Sequence, residues 1–366
     1  MLFRLGEIVL RLFTVGPVAC YPEVLHEMGR QMYSHRSDEY KQMHSETVEL
    51  LQTLIETKNS VYLFSSTGTG FMEAAIRNCV HKKVLCCVNG SFGKRFAQVA
   101  ATNGKQVEVV SAPLGKPILP DVLDDTLLKL PEVEAVAITH NETSMGLINP
   151  LPDLADVVNK HDKLLFVDAV SSMGGTELKV DDWGLDICFS SSQKCFGVPP
   201  GLGMGSVSDE ALKKAEKVEN RGWYFDFMLW DRYQKSAGTP MTSVVPQIAG
   251  LNRILKLIME WGGKHRYFKI YQERNQKIQA GIMSLGLSLF PQKGYESPTV
   301  TCVNAPTEIG GIRIYNAMRV KGFELAKGYG DVRESTFRIG NMGCIALSDI
   351  DAMLDALNVC LLELTG

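Results

Sequence analysis

The chain has 366 residues, a hydrophobic fraction of 45% and a charged fraction of 22%, which are ordinary values for a soluble globular enzyme of about two domains. Its formal net charge of −3 gives no indication of nucleic acid or an anionic membrane as a partner. The nine cysteines follow no metal-ligand or disulfide-framework spacing, so we expect reduced thiols in a cytoplasmic protein.

The amino-terminal segment is expected to be an arm. Residues 1–13 are apolar, but Arg4 and Arg11 interrupt them and no small-residue cleavage site follows. The segment is too short and too charged to span a membrane, and no run of 18 apolar residues occurs elsewhere. We therefore expect an arm or short helix that contacts a neighbouring subunit, followed by a short strand over residues 14–18.

A polar loop and a small-residue turn follow the first predicted helix. Residues 34–40 form the loop, in which His35 and Arg36 are either functional or simply solvated. Farther on, a strand over residues 61–64 runs into a turn rich in Gly, Ser and Thr at 65–70 and then into a helix. The third glycine of a dinucleotide fingerprint is replaced by Glu73, and the lysine of a P-loop is missing. A single phosphate group would need only this turn and the helix amino terminus.

Apolar strands then alternate with helices, and polar residues gather where the strands end. Strands are predicted over residues 84–88, 107–110 and 133–138, with a helix beginning near Phe96. Phe92, between two glycines at a strand end, lies flat against a ligand ring or else covers the core. This alternation of strands and helices predicts an α/β fold with a mostly parallel sheet, whose ligands bind at the carboxyl ends of the strands.

Asp168 and Lys194 occupy two such positions. Asp168 ends an apolar strand over residues 164–168, and Lys194 closes a polar run before a turn rich in glycine and proline. A lone lysine is usually exposed, but an amine in a poorly solvated site loses proton affinity and can form a Schiff base with an aldehyde. An acid at a strand end followed by such a lysine suggests a pyridoxal phosphate (PLP) site.

The carboxyl-terminal part is predicted to be a smaller α+β domain. A long helix over residues 245–261 precedes Gly262 and Gly263, after which helices alternate with short strands. We divide the chain into an arm (1–16), a large PLP-binding domain (17–261) and a small domain (262–366). Arg338 is a charge inside an apolar strand, and it must pair either with a structural acid or with a substrate carboxylate.

Taken together, these stretches resemble the class V, fold-type I PLP aminotransferases, the group that contains alanine:glyoxylate and serine:pyruvate aminotransferases. The resemblance runs from about residue 15 to residue 343, nearly the whole chain. Its motifs are Ser-His-Arg-Ser at 34–37, Thr-Gly-Thr-Gly at 67–70 with Glu73, Val-Asn-Gly-x-Phe-Gly at 88–93, Val-Asp-Ala-Val at 167–170, Ser-Gln-Lys at 192–194 and Arg-Ile-Gly at 338–340.

The resemblance implies a large domain with a mostly parallel sheet of the seven-stranded type, flanked by helices, and a smaller carboxyl-terminal α+β domain. Lys194 would carry PLP as a Schiff base and act as general base and acid, and Asp168 would pair with the ring nitrogen. The cofactor-binding residues implied are Thr67, Gly68, Thr69, Phe92, Thr143, Asp168, Val170, Gln193, Lys194, Thr239 and Thr242. The substrate-binding residues implied are Gly16, His35, Arg36 and Arg338.

Two consequences follow from the resemblance. Thr239 and Thr242 match positions that reach the phosphate of the other subunit, which implies a homodimer. Relatives commonly have Gly-Pro-Gly near the amino terminus, whereas this chain has Gly16-Pro17-Val18, which implies a narrower or differently shaped substrate pocket.

The activity implied is transfer of an amino group from a small L-amino acid, such as alanine or serine, to glyoxylate or pyruvate by a ping-pong mechanism. One alternative is a lyase of the same fold, such as a cysteine desulfurase or selenocysteine lyase. Those enzymes have His directly before the lysine, where this chain has Gln193, and Cys302 and Cys344 do not match their late mobile loop.

Another alternative is an aminotransferase for aspartate, phosphoserine or aminoethylphosphonate, with His35 and Arg36 as the extra cations. A cofactor-binding protein without turnover would have no need of Arg338.

Overall fold

The computed structural model describes residues 3–5 and 8–365. The helices of these residues are α1 Pro22–Met28, α2 Asp38–Ile55, α3 Gly68–Cys79, α4 Ser91–Thr102, α5 Pro120–Lys129, α6 Leu151–Lys160, α7 Asp209–Lys217, α8 Phe227–Gln234, α9 Val245–Glu260, α10 Gly263–Ser284, α11 Gly311–Val320 and α12 Leu347–Thr365. The strands are β1 Phe3–Leu5, β2 Ile8–Leu12, β3 Ser60–Phe64, β4 Lys83–Val88, β5 Gln106–Ser111, β6 Ala135–Thr139, β7 Asn141–Glu142, β8 Leu147–Ile148, β9 Leu164–Asp168, β10 Ile187–Ser191, β11 Gly203–Val207, β12 Ser288–Leu289, β13 Val300–Asn304, β14 Phe323–Glu324, β15 Ala326–Lys327 and β16 Thr336–Gly340.

A seven-stranded sheet forms the centre of the large domain. Its strand order is β3-β11-β10-β9-β6-β4-β5, and every strand except β11 runs in the same direction. Helices cover both faces, so the inner strands are buried along their length rather than alternating; all five residues of β6 are buried, whereas the edge strand β5 is largely exposed. The sequence-based expectation of a mostly parallel, seven-stranded sheet is therefore confirmed.

Alternate residues of one strand enter the two layers of the core. In β4, Leu85 and Cys87 belong to one buried apolar cluster, and Val84 and Cys86 belong to the cluster on the opposite face. This follows from the two-residue period of a strand, which sends successive side chains to opposite sides. The sheet is thus held rigidly from both faces, and its strand ends are fixed points for functional side chains.

The carboxyl-terminal region has its own antiparallel sheet, of order β12-β13-β16-β15. Its apolar core combines residues of α10, α11 and α12 with the strands, and Phe13 of the amino-terminal segment joins it. Between α9 and α10, Gly262 takes a left-handed conformation with φ +109°, which favours glycine because it lacks a Cβ. The division of the chain at residues 16 and 262 stays a prediction.

The amino-terminal segment differs from expectation. β2 pairs in parallel with β14 of the same chain, and the Arg11 N–H donates to the Gly322 carbonyl at 2.8 Å. The expected short helix in residues 1–13 is therefore wrong for the part that the structure describes. The expected strand over residues 14–18 is also wrong, since Gly16 there has φ +120° and the chain is irregular.

Within residues 3–5 and 8–365, no helix combines the length and hydrophobicity that a membrane crossing needs.

Candidate active site

A cavity of about 290 Å³ lies at the carboxyl ends of the central strands. It is lined by Gly16, Thr67, Gly68, Thr69, Met72, Phe92, Arg95, Thr143, Asp168, Val170, Ser191, Gln193 and Lys194. Ten of these are residues that the sequence indicated. A larger cavity of about 580 Å³ lies at the opposite edge of the sheet, where Leu164 begins β9, and holds none of them. We take the smaller cavity as the site because it contains the buried amine and carboxylate.

Lys194 follows β10 and is buried, with 8% of its surface exposed. Its ammonium group donates a hydrogen bond to the carbonyl of Val15. Burial, and after it the positive charge of Arg338, lower the pKa of Lys194 to about 8, while Asp168 acts in the opposite direction. A substantial fraction of this amine is therefore unprotonated near neutral pH, as a nucleophile requires.

Asp168 is the last residue of β9 and is 3% exposed. Its Oδ1 accepts one hydrogen bond, from the Val170 N–H at 2.9 Å. Burial and, to a smaller extent, the nearby carboxylate of Glu142 raise the pKa of Asp168 to about 7, against the opposing effect of the Val170 hydrogen bond. A cation placed against this carboxyl group would restore its charge, and the protonated nitrogen of a pyridine ring is such a cation.

The turn between β3 and α3 forms one wall of the cavity. A Cβ at Gly68 would lie only 2.3 Å from Cγ2 of Val170, so the close approach of these two segments requires glycine. The first N–H groups of α3 have no partner within the helix, and with the positive helix end they suit a phosphate. Nearby, the Ser191 hydroxyl donates to Gln193 Oε1 at 2.5 Å.

Phe92 lies in the first turn of α4, which begins at Ser91 and not near Phe96 as the sequence suggested. The buried carboxylate of Glu142 accepts hydrogen bonds from the Phe92 and Gly93 N–H groups, at 3.0 and 3.1 Å. A carboxylate at a helix amino terminus satisfies the free N–H groups and interacts favourably with the helix dipole. Glu142, which is distant from α4 in the sequence, thereby allows the helix to begin before Phe92 and fixes Phe92 at the cavity wall.

Arg338 is buried in β16, at the edge of the same site. Its Nη1 donates to the Thr143 carbonyl and its Nε to the Lys327 carbonyl, both at 3.0 Å. In the described part of the chain its guanidinium forms no ion pair with a carboxylate. The sequence left open whether Arg338 pairs with a structural acid or with a substrate carboxylate. A structural acid is not observed, so the positive charge of Arg338 remains available to a ligand.

Four predicted site residues lie together but away from this cavity. Arg36 Nη1 donates to the Thr239 carbonyl at 2.8 Å, and the Thr239 hydroxyl donates to the Met241 carbonyl at 2.7 Å. Thr242 is exposed, and the His35 ring packs edge-on near a neighbouring tyrosine. Within one chain these residues do not contact the groups around Lys194.

Sequence reasoning missed several residues of the site. Arg95 lies one helical turn after Phe92, and Met72 lies one turn after Gly68, so the spacing of residues on one helix face would have found both. Tyr329 was missed as well; its ring stacks on Phe92 with centroids 6.0 Å apart. No local signal marks Tyr329, because it reaches the site only through the packing of the carboxyl-terminal region.

Comparison with known proteins gives consistent results. A profile of the family described as Aminotransferase class-V matches residues 19–328. An uncharacterized aminotransferase of Methanocaldococcus jannaschii is 32% identical over 95% of this chain and 92% of its own length. The alanine–glyoxylate aminotransferase of Drosophila melanogaster is 31% identical over 94% of this chain and 90% of its own. The crystal structure of ureidoglycine–glyoxylate aminotransferase from Bacillus subtilis has a TM-score of 0.92 at 27% identity, covering 100% of this chain and 96% of that one.

Proposed function

Because the chain belongs to the class V aminotransferase family and is a PLP-dependent transaminase, we propose that it transfers the amino group of a small L-amino acid, such as alanine or serine, to glyoxylate or pyruvate. The observation that carries this proposal is a cavity that holds the buried groups Lys194 and Asp168 and whose lining residue Thr143 accepts a hydrogen bond from the buried Arg338. The glyoxylate-dependent relatives support the choice of acceptor.

The residues of the cavity fit PLP. Lys194 would hold the aldehyde carbon, Asp168 the ring nitrogen, and the ring would lie between Phe92 and Val170. The phosphate-binding residues would be Thr67, Gly68, Thr69 and Gln193, with Thr143 beside the ring. When bound, PLP supplies an electron-withdrawing ring that takes up the electron pair released at the substrate Cα.

The chain's own groups provide the proton transfers. With PLP bound, Lys194 Nζ would accept the substrate Cα proton as general base, and a pKa of about 8 would suit it to release that proton again as general acid. Asp168 would keep a proton on the ring nitrogen of bound PLP by charge and hydrogen bonding. The bent segment at Gly16 closes the cavity over Lys194, since a Cβ there would lie 2.7 Å from the lysine side chain.

Arg338 would bind the α-carboxylate of the substrate. A guanidinium offers two parallel N–H groups to a carboxylate, which fixes orientation as well as position. Two carbonyl groups already hold Nε and Nη1 of this residue in place. Such a held guanidinium would direct the Cα–H bond of the substrate toward Lys194.

We also propose that the enzyme is a homodimer whose sites lie at the subunit interface. The cluster of His35, Arg36, Thr239 and Thr242 would then serve the site of the partner subunit. Its separation from the cavity of its own chain supports this arrangement. Sedimentation of the holoenzyme tests it, since a monomer with full activity would contradict the shared site.

A cysteine-dependent lyase is less well supported. Cys302 is buried in β13, and burial raises its pKa to about 11. Burial also raises the pKa of Cys344. Neither thiol is thus poised to be the thiolate that attacks a substrate sulfur. All nine cysteines are free, which also supports our placement of the protein in the reducing cytoplasm.

Steady-state kinetics test the proposed function. Initial rates with alanine or serine as donor, measured at several concentrations of glyoxylate or pyruvate, should give the parallel double-reciprocal lines of a ping-pong mechanism. Lys194→Ala should abolish turnover in a protein that is still folded by circular dichroism. Intersecting lines, or substantial turnover by that variant, would contradict the proposal.

A further inference from the structure

Two buried tyrosines hold the backbone directly after Lys194. Tyr267 and Tyr271 are four residues apart on α10, so they lie on one face of that helix, and neither side chain is exposed. Both hydroxyl groups donate to the carbonyl of Cys195, each at 2.6 Å. Cys195 is itself fully buried and follows Lys194 in the sequence. A single carbonyl group, one residue beyond the lysine, thus accepts both hydroxyl hydrogen bonds.

The Cys195 carbonyl depends on these two hydroxyl groups. No backbone N–H in residues 3–5 and 8–365 donates to it, and a buried carbonyl without a donor is unfavourable. A carbonyl oxygen has two lone pairs, so it can accept from both tyrosines at once. Burial raises the pKa of both hydroxyl groups well above the ordinary value of a tyrosine. Both groups therefore stay protonated, as donors must, over the pH range of an enzyme assay.

The same face of α10 also holds the segment that follows Arg338. Arg274 Nη1 donates to the Gly343 carbonyl at 2.9 Å, and the Tyr271 carbonyl accepts a hydrogen bond from Asn341 Nδ2 at 3.0 Å. Asn341 comes directly after β16, the strand that contains Arg338. One helix is therefore hydrogen-bonded to the backbone just beyond the lysine and just beyond the arginine, and it fixes these two segments relative to each other.

The position of the Lys194 amine depends strongly on its backbone. A lysine side chain is long and flexible, so the backbone from which it starts must be fixed if the amine is to reach one defined point. The Lys194 carbonyl accepts a hydrogen bond from the Gly197 N–H at 2.9 Å, which closes the turn around Cys195. Displacement of a reacting group by about 1 Å can lower a rate about 100-fold. A loosened turn would therefore reduce the rate of the proton transfers that we assign to Lys194.

We propose that Tyr267 and Tyr271 are positioning residues for transamination, which hold the Cys195 carbonyl and thereby fix the backbone from which the Lys194 amine reaches the substrate. This inference rests on the role that we propose for Lys194. Neither tyrosine lines the cavity, so neither touches the substrate or PLP. Arg338 keeps its two carbonyl contacts when the hydroxyl groups are removed. A positioning role therefore predicts a lower kcat with little change in KM.

Phenylalanine substitutions remove the hydroxyl groups and keep the rings. Tyr267→Phe and Tyr271→Phe each leave one donor on the carbonyl, so each should lower kcat for alanine and glyoxylate about 2- to 10-fold. The double variant leaves the carbonyl unpaired. Its loss of kcat should exceed the product of the two single losses, because the two hydroxyl groups share one acceptor. KM for alanine should change less than about 2-fold in all three variants.

The pH dependence of PLP attachment distinguishes positioning from stability. Each cofactor-free variant is combined with PLP and trapped with borohydride, and the modified Lys194 peptide is quantified across pH. A loosened turn exposes the amine to water, so the midpoint should move to higher pH, by about 0.5 units or more in the double variant. The titratable groups that act on the amine are unchanged in these variants; they are Asp168, Arg95, Arg338 and the Cys195 thiol. The shift therefore reports the burial of the amine.

Tyr21→Phe is the matched control. Tyr21 is buried, and its hydroxyl donates to the Gly343 carbonyl at 3.1 Å. That carbonyl, like the one of Cys195, has a second side-chain donor, here Arg274. The control should lower the free energy of unfolding in urea about as much as either single variant on α10. It should leave kcat and the pH midpoint of Lys194 unchanged.

Three results would overturn the inference: wild-type kcat and midpoint in both single variants, the same loss of kcat in Tyr21→Phe, or a rise in KM without a fall in kcat. If the double variant does not fold, the single variants decide, since each keeps one donor on the carbonyl. Failure of the proposed function is distinct. It would appear in the wild-type enzyme, as a lack of turnover or as PLP trapped on a residue other than Lys194.

Discussion

The depressed pKa of Lys194 predicts how the amine reacts with an aldehyde. With a pKa of about 8, roughly one amine in ten is unprotonated at pH 7, against roughly one in 3,000 for an ordinary lysine with a pKa of 10.5. The reactive fraction is thus about 300-fold larger than in a model peptide. Because only the unprotonated amine attacks, the rate should rise with pH and become constant above about pH 8.

The assay is recombination of the cofactor-free enzyme with PLP, trapped with borohydride and quantified on the Lys194 peptide by mass spectrometry. Arg338→Gln removes the second cause of the depressed pKa and should move the midpoint to higher pH, although burial, the larger cause, remains. A rate that still increases about tenfold per pH unit between pH 9 and 10 would show an ordinary lysine and refute the reasoning.

Three substitutions test the other parts of the site. Asp168→Asn should lower kcat by about 100-fold or more, since an amide cannot keep the ring nitrogen protonated; near-normal kcat would assign that role to another group. Arg338→Lys should raise KM for the amino acid about 10-fold or more, because an ammonium cannot form the two-pronged contact, and an unchanged KM would place the carboxylate elsewhere. Gly68→Val should weaken PLP binding, since even its Cβ would lie 2.3 Å from Val170, and unaltered affinity in equilibrium dialysis would contradict the close approach.

The central sheet and the pair of Asp168 and Lys194 could be predicted because their signals are local. An apolar strand followed by a polar residue is contiguous in the sequence, and strand ends in a parallel sheet meet at one edge. Asp168 ends β9 as expected, and Lys194 follows β10 in the same cavity. Periodicity also predicted the long helix over residues 245–261, which is observed as α9 Val245–Glu260.

The errors have non-local causes. α4 begins at Ser91 because Glu142, fifty residues away, accepts hydrogen bonds from its first turn. β2 is a strand because it pairs with β14, far along the chain. The local helix or strand propensity of a segment carries no information about distant partners such as Glu142 or β14. Tyr329 likewise reaches Phe92 only in the folded chain, so its part in the site could not be read from its neighbours in sequence.

The visible absorption spectrum of the purified protein, titrated with single amino acids in the absence of a keto acid, tests the central claim most directly. We predict that the absorbance of Lys194-bound PLP is converted to that of pyridoxamine phosphate by one amino acid and restored by glyoxylate or pyruvate. An absorbance that persists while cysteine releases sulfide would favour the lyase. If no such absorbance appears even after PLP is added, the assignment of Lys194 is wrong.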